Sequence, residues 1–143
     1  MKTLSSLLLA SASLVLSSLG YAQTQVTVEV TGLTPAKGQL GCALFANGTG
    51  FPRATQGARR TPWQAVSQSR MRCVFDQVTP GQYAVSVSQD MNHNLTLDSN
   101  WVGKPTEPWG VSGNLRPAFR APTFEEAAFD VADAPIGLRV EVR

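Results

Sequence analysis

The sequence predicts an all-β fold, a single β-sandwich of about seven strands with one long irregular loop. Apolar and polar residues alternate one by one in several separate segments, which is the pattern of strands that bury one face. Clusters of Pro, Gly, Asn and Thr, typical of turns, separate these segments. Long amphipathic helices are not indicated, and this favours a sandwich over a mixed fold.

The first strand lies shortly after residue 23. In this strand Val26, Val28 and Val30 alternate with Thr and Glu. Four later segments repeat this alternation, and each therefore has one face that is expected to be buried. The alternating segments are residues 26–31, 40–44, 71–75, 83–87 and 136–142.

Turn residues separate these strands. Pro35 and Gly38 lie between the first two strands, and Pro80 and Gly81 lie between the third and fourth. Pro presets φ and Gly tolerates positive φ, so both pairs favour tight connections. Residues 124–131 are ambiguous between a short strand and one helical turn, because two consecutive Glu residues interrupt the alternation.

The N-terminus has the order of a secretory signal. Lys2 is followed by an uncharged apolar run over residues 4–19 and then by Gly20 and Ala22, small residues at the two positions that a signal peptidase reads. A membrane anchor is the alternative, but the run is shorter than the ~20 residues that cross a bilayer. We therefore predict a removed signal peptide, residues 1–22, and a periplasmic or secreted domain, residues 23–143, with no membrane span.

Charge limits the classes of partner. The formal net charge is +2 and falls to +1 when Lys2 is removed with the signal. Such a small and scattered charge gives no support for binding to nucleic acid. The expected partner is a protein or a glycan ligand whose identity is unknown.

Cys42 and Cys73 form the one cysteine pair. Outside the cytoplasm a pair favours a disulfide, with two buried free thiols as the alternative. A shared metal is disfavoured because zinc needs three or four ligands and the one histidine, His93, lies far along the chain. Both cysteines lie on the apolar phase of their strands, so facing positions on paired strands would allow a bridge.

The segment of residues 90–122 resists the strand interpretation and is rich in Asn, Gly, Pro and Trp. Long irregular segments in small domains are usually functional or disordered, so a site is expected here. Oxygen-bearing side chains recur at alternate positions at its start, which is the arrangement that wraps around a hard cation such as calcium. The candidate calcium ligands are Asp90, Asn92, Asn94, Thr96 and Asp98.

The calcium pattern is incomplete. Leu95 occupies the position where such loops use Gly for a sharp turn, and Trp101 occupies that of the closing Glu. Glu107 is the candidate that replaces the closing ligand. The alternative is an Asx-rich turn that holds no ion, since Asn and Asp bond to their own backbone.

Other residues of the segment have two interpretations each. His93 is either a metal ligand or catalytic base, or a surface turn residue, and the lack of a nucleophile motif favours the latter. Trp63, Trp101 and Trp109 form either a stacking platform for a sugar or peptide, or a cover for the open edge of the sandwich.

Four segments carry a family resemblance, residues 81–87, 90–98, 101–114 and 122–129. Together they resemble the family called domain of unknown function 2141, whose exported bacterial members have a Pro-Gly-x-Tyr-Ala strand and an acidic Asn-rich loop. Leu95 departs from it, because the family usually has Gly there. The resemblance implies a β-sandwich similar to the prealbumin-like and carboxypeptidase-regulatory-like folds, and the predicted sandwich is thus immunoglobulin-like or prealbumin-like. It implies no activity and no catalytic residue.

The sequence thus predicts a non-enzymatic binding or accessory module. Its recognition surface is expected in the loop of residues 90–122, with calcium as the candidate ion and His93, Trp101 and Trp109 as candidate contacts. One alternative is a metal-dependent hydrolase that uses Asp90, His93 and Asp98, although Gly-x-Ser-x-Gly and His-Glu-x-x-His motifs are lacking. The other is a structural subunit that pairs through a sheet edge.

Overall fold

The computed structural model describes residue 20 and residues 22–143. The predicted signal peptide lies almost wholly outside these residues, so its removal stays a prediction. In the described part of the chain, no helix is long and apolar enough to cross a membrane. The strands in chain order are β1 (Thr24–Thr31), β2 (Gln39–Phe45), β3 (Arg59–Arg60), β4 (Gln64–Ala65), β5 (Arg70–Val78), β6 (Gly81–Asp90), β7 (Trp109–Val111), β8 (Phe129–Val131) and β9 (Ile136–Glu141).

The strands form two sheets, which confirms the predicted all-β sandwich-like fold. The first sheet has the order β5-β1-β9, and β1 pairs antiparallel with β5 and parallel with β9. The second sheet is built on the antiparallel pair of β2 and β6, with β3 and β4 on the outer edge of β2 and with β7 and β8 on β6.

The main core lies between the sheets and consists of the apolar phase of the alternating strands. Val26, Val28 and Val30 of β1 are fully buried, and Leu40 and Leu44 of β2 face them from the second sheet. Burial of each such side chain stabilises the fold by roughly 1.5–3 kcal/mol relative to exposure. The two-residue alternation therefore predicted the inner faces correctly.

Cys42 and Cys73 form a disulfide across this core, with 6.4 Å between their Cα atoms and a sequence separation of 31. The predicted bridge is confirmed, but the expected pairing of its strands is not. Cys42 lies on β2 of the second sheet, whereas Cys73 lies on β5 of the first. The bond therefore ties the two layers together.

A second apolar cluster covers one end of the outer face of the second sheet. Phe45 and Ala84 face each other across β2 and β6, and both pack with Phe124. Phe124 is the first residue of the short helix α1 (Phe124–Ala127). Thr123 and Glu126 form a capping box at the N-terminus of this helix. Phe51 adds edge-to-face contacts with both Phe45 and Phe124.

Two segments differ from the sequence prediction. Residues 90–122 contain β7, a 3-10 turn at Ser112–Asn114 and a bridge between Ser99 and Pro105, so this segment is less irregular than predicted. Three residues are too few for β7 to show alternation. The ambiguous residues 124–131 form both predicted elements in succession, first α1 and then β8.

Candidate functional site

The Asp90–Asp98 loop, residues 90–98, begins at the end of β6. Asp90 is fully buried, and its Oδ2 accepts hydrogen bonds from Gln39 Nε2 at 3.0 Å and from the Leu95 amide at 2.8 Å. Its Oδ1 accepts the Asn94 amide at 3.3 Å. Burial raises the pKa of Asp90, but these hydrogen bonds together outweigh it and lower the pKa below its ordinary value. The loop backbone therefore turns around the Asp90 carboxylate.

Asp98 gathers the side chains at the other end of the loop. Its two carboxylate oxygens accept Asn92 Nδ2 at 2.6 Å and Asn94 Nδ2 at 2.8 Å. Asn94 Oδ1 in turn accepts both the amide and the hydroxyl of Thr96 at 3.0 Å. The structure thus brings the five candidate ligands of the loop into one hydrogen-bonded network.

Glu107 binds both ends of the loop through its carboxylate. It is only 7% exposed, and its Oε1 accepts the Met91 amide at 2.8 Å while Oε2 accepts the Asp98 amide at 3.0 Å. One carboxylate thus joins the first and last turns of the loop. The sequence predicted Glu107 as a candidate ion ligand, and this bracing contact was not foreseen.

Two residues of the loop have a left-handed backbone conformation. Leu95 adopts a φ of 66°, in the left-handed region that usually calls for Gly, and His93 adopts a φ of 60°. Among the described residues, no three His, Cys, Asp or Glu side chains lie together in a way that could hold a metal. Any ion here would depend on amide, hydroxyl and carbonyl oxygens besides the carboxylates.

The other candidate contacts point away from this network. His93 is exposed, and none of the hydrogen bonds to Asp90 or Asp98 comes from it. Trp101 is 95% exposed at the tip of a turn, whereas Trp109 packs against the second cluster beneath the Arg116 guanidinium, 4.8 Å from its ring centroid. Trp101 and Trp109 therefore do not form one platform.

A groove that was not predicted from the sequence lies on the outer face of the second sheet, and we call it the outer groove. It is open to solvent, has a volume of about 660 Å³ and lies between the second cluster at one end and the Asp90–Asp98 loop at the other. Its floor is the outward phase of β2 and β6, where Gly41 faces Ser88 and Ala43 faces Ser86. Its walls include Thr55, Ala58, Arg60, Thr61, Pro62, Trp63 and Leu95.

Trp63 and Arg60 give the groove its chemical character. The Trp63 ring lies on Gly41, where a side-chain carbon would stand 2.5 Å from ring atom Cη2. Arg60 faces Ala43 across β3 and β2 and so belongs to the outer face. Its neighbour Arg59 points the other way and donates to the carbonyl oxygens of β5. The groove thus has one aromatic wall and one cationic wall.

The comparisons with known proteins agree with the resemblance seen in the sequence. The family model described as "Uncharacterized protein conserved in bacteria (DUF2141)" matches residues 28–137. No curated protein and no solved structure matches the chain significantly. The matched span runs from β1 into β9 and includes the disulfide, the Asp90–Asp98 loop and the outer groove. The chain therefore belongs to the DUF2141 family of uncharacterised proteins conserved in bacteria.

Proposed function

We propose that the protein acts outside the cytoplasm as a non-enzymatic binding module whose recognition site is the outer groove. One observation carries this proposal. The second cluster covers one end of the outer face of the second sheet and the Asp90–Asp98 loop borders the other, while the small residues Ala43, Ser86 and Ser88 leave space beside Trp63. The volume of about 660 Å³ falls in the range of roughly 300–1,000 Å³ of small-molecule sites.

The segment of residues 90–122 contributes to this site through its first turn. Leu95 belongs to the wall of the groove and is 57% exposed, so the shape of the Asp90–Asp98 loop sets the shape of that wall. The predicted recognition surface is thus narrowed to this loop and the strands beside it. The disulfide supports a site of action in an oxidising compartment.

We also propose that calcium orders the Asp90–Asp98 loop. This proposal is supported by the left-handed conformation of Leu95, which gives the sharp turn that a calcium-binding loop needs. The backbone amides of Asn94 and Leu95 donate hydrogen bonds to Asp90 and hold this turn. The Nδ2 groups of Asn92 and Asn94 now face Asp98. Rotation of these side-chain amides would turn their oxygens toward Asp98 instead, so that amide and carboxylate oxygens could share one ion. With few carboxylates the affinity would be weak, with a Kd of roughly 0.1–1 mM.

The alternatives receive less support. Asp90 is buried and its carboxylate is already bonded, so it offers little to a hydrolytic water that exposed His93 would activate. Pairing through the free edge of β5 meets an obstacle, because Arg59 and Gln64 donate to carbonyl oxygens along that strand. Such capping is a common protection of sheet edges.

The test uses one variant that fills the groove. Ser88 is half-buried on the groove floor, so Ser88→Tyr places a ring there without disturbing the inner core. Thr31→Tyr is the matched control, since Thr31 is a half-buried residue of β1 outside the groove. Saturation-transfer NMR would screen a mixture of amino acids, short peptides, sugars, nucleotides and fatty acids.

We expect at least one compound to bind the unaltered protein and the Thr31→Tyr variant, to lose binding to Ser88→Tyr, and to be recovered intact. Release of a product from a bound compound would favour the hydrolase instead. Equal binding by Ser88→Tyr, or no binding by any compound, would contradict a recognition role for the groove.

A further inference from the structure

We infer that the outer groove binds a short oligosaccharide that carries a carboxylate, such as one containing a uronic acid. This inference rests on the proposed function and names its ligand class. Three features of the groove support it: the hydroxyl groups of its floor and wall, the aromatic ring beside them, and an arginine without an acidic partner.

The hydroxyl groups match the ligand's own. Ser86 and Ser88 are two residues apart on one face of β6, which separates their hydroxyls by roughly 7 Å along the strand. Thr55 adds a hydroxyl from the wall. A hydroxyl both donates and accepts hydrogen bonds, so this set can follow the hydroxyls of a sugar around its ring.

Trp63 supplies the flat apolar contact that a sugar ring needs. Gly41 lies beneath the ring, so the indole rests against the sheet and borders the groove with little freedom to move. A rigid aromatic side chain provides contact area at low entropic cost. The sequence named Trp63 as a candidate for stacking, but without Trp101 and Trp109 it acts alone.

Arg60 supplies the charge preference. The ion pairs of the described residues join Arg70, Arg120, Arg139 and Arg143 to glutamates, and Arg60 takes part in none of them. No carboxylate lines the groove with it. A guanidinium in this setting favours a carboxylate, which it can bind through two hydrogen bonds.

Other ligand classes fit less well. A peptide that adds a strand needs unpaired backbone groups, but β2 and β6 are already paired with each other along the floor. A fatty acid would leave the serine hydroxyls without partners, which is costly in a buried contact. A nucleic acid needs several cations along its backbone, and the groove offers one.

The experiment compares acidic and neutral trisaccharides in the presence of a chelator. Calorimetry or protein-observed NMR would measure binding of trigalacturonate and 3′-sialyllactose, with maltotriose as the neutral comparator. We expect at least one acidic sugar to bind about tenfold or more tightly than maltotriose. Arg60→Gln should remove this preference, and Arg59→Gln should keep it because Arg59 faces the edge of β5.

Trp63→Phe should keep part of the affinity and Trp63→Ala should lose most of it, with the fold of each variant checked by thermal melting. Equal binding of neutral and acidic sugars, a preference that survives Arg60→Gln, or no acidic binding up to about 10 mM would overturn the inference. If the groove instead binds a peptide or another compound that Ser88→Tyr displaces, the proposed function stands and the sugar-acid ligand falls. If Ser88→Tyr changes no binding at all, both fall.

Discussion

The indole ring of Trp63 lies directly on the backbone of Gly41, close enough that a side-chain carbon at residue 41 would stand 2.5 Å from Cη2 and closer still to Cζ3. Gly41 is in the middle of β2, where Gly weakens a strand unless another group approaches closely. The contact joins the residues between β3 and β4 to the sheet and shapes one wall of the outer groove.

Gly41→Ala should expel the Trp63 ring or strain it. We expect a loss of about 1–3 kcal/mol in the free energy of unfolding, as for overpacked sites, together with a red shift of tryptophan emission. Gly137→Ala is the matched control, because no atom lies within 4 Å of a side-chain carbon built at Gly137. Urea unfolding would measure both variants, and equal stability would show that the Trp63 contact is soft.

Removal of the disulfide should cost much of the stability of this small domain. For the loop closed between Cys42 and Cys73, the chain-entropy model gives about 3.7 kcal/mol. We expect the double variant Cys42→Ala/Cys73→Ala to unfold at correspondingly lower urea concentrations. Reductant should shift the unaltered protein only. A loss below about 1 kcal/mol would mean that the core alone holds the two sheets together.

The lowered pKa of Asp90 predicts a defined dependence on pH. Because the folded-state pKa lies below the unfolded value, the contribution of Asp90 is complete above the unfolded pKa and is lost as the pH falls through the folded pKa. Asp90→Asn should lower stability at pH 7 by about 1–3 kcal/mol, since a buried amide cannot accept all of these hydrogen bonds.

The Asp90→Asn variant should also lose less stability than the unaltered protein between about pH 5 and pH 2. Chelator would be present throughout to exclude ions. The hydrogen bond from Arg120 lowers the pKa of Glu126 to about 2, but this exposed pair is common to both proteins and cancels in the comparison. Parallel stability curves over this pH range would contradict the prediction.

Calcium should stabilise the protein through Asp98. With ~1 mM calcium and a Kd of ~0.1 mM, the gain is about 1.4 kcal/mol, or roughly 5 °C in Tm. Asp98→Asn should abolish this gain, and it should change the baseline in chelator little because Asp98 accepts only the exposed Asn92 and Asn94 side chains. Identical melting in calcium, magnesium and chelator would exclude an ordering ion.

Glu107→Gln should loosen the Asp90–Asp98 loop locally. A Gln carbonyl can accept one of the two amides, while its NH₂ group would oppose the other. Hydrogen exchange should therefore quicken at Met91 and Asp98 and remain slow at buried Val85 and Val87. Glu125→Gln, on the exposed side of α1, is the control. Unchanged exchange at Met91 and Asp98 would show that the loop holds its shape without Glu107.

Much of the fold was predictable because its cause is local. Val26, Val28 and Val30 repeat with the period of a strand, and a side chain on that phase must be buried whichever strand is its neighbour. β7 was missed because residues 109–111 are too short to show a period, and their conformation depends on pairing with β6.

The candidate site was predictable only in part. The alternate oxygen ligands of the Asp90–Asp98 loop are consecutive in sequence, so their meeting in one network follows from a single turn. The bracing role of Glu107 was not predictable, since it depends on how a later segment returns beneath the loop. The recurrence of small residues at every second position, Gly41 and Ala43 in one strand and Ser86 and Ser88 in the other, was visible, but it resembles any solvent-facing phase.

The sequence alone determined which residues form the inner faces of the strands, which cysteines can bridge and which loop is rich in oxygen ligands, because each of these depends on short-range spacing and residue type. It did not predict the burial of Ala43 and Ala84, which lie on the opposite phase and are covered by the second cluster. Tertiary structure alone decided that the bridge crosses between the sheets and that Gly41, Arg60, Trp63 and Ser88 line one groove. These residues come from separate parts of the chain, and only the pairing register of β2 with its neighbours brings them together. That register is set by the packing of the whole core, which no local pattern records.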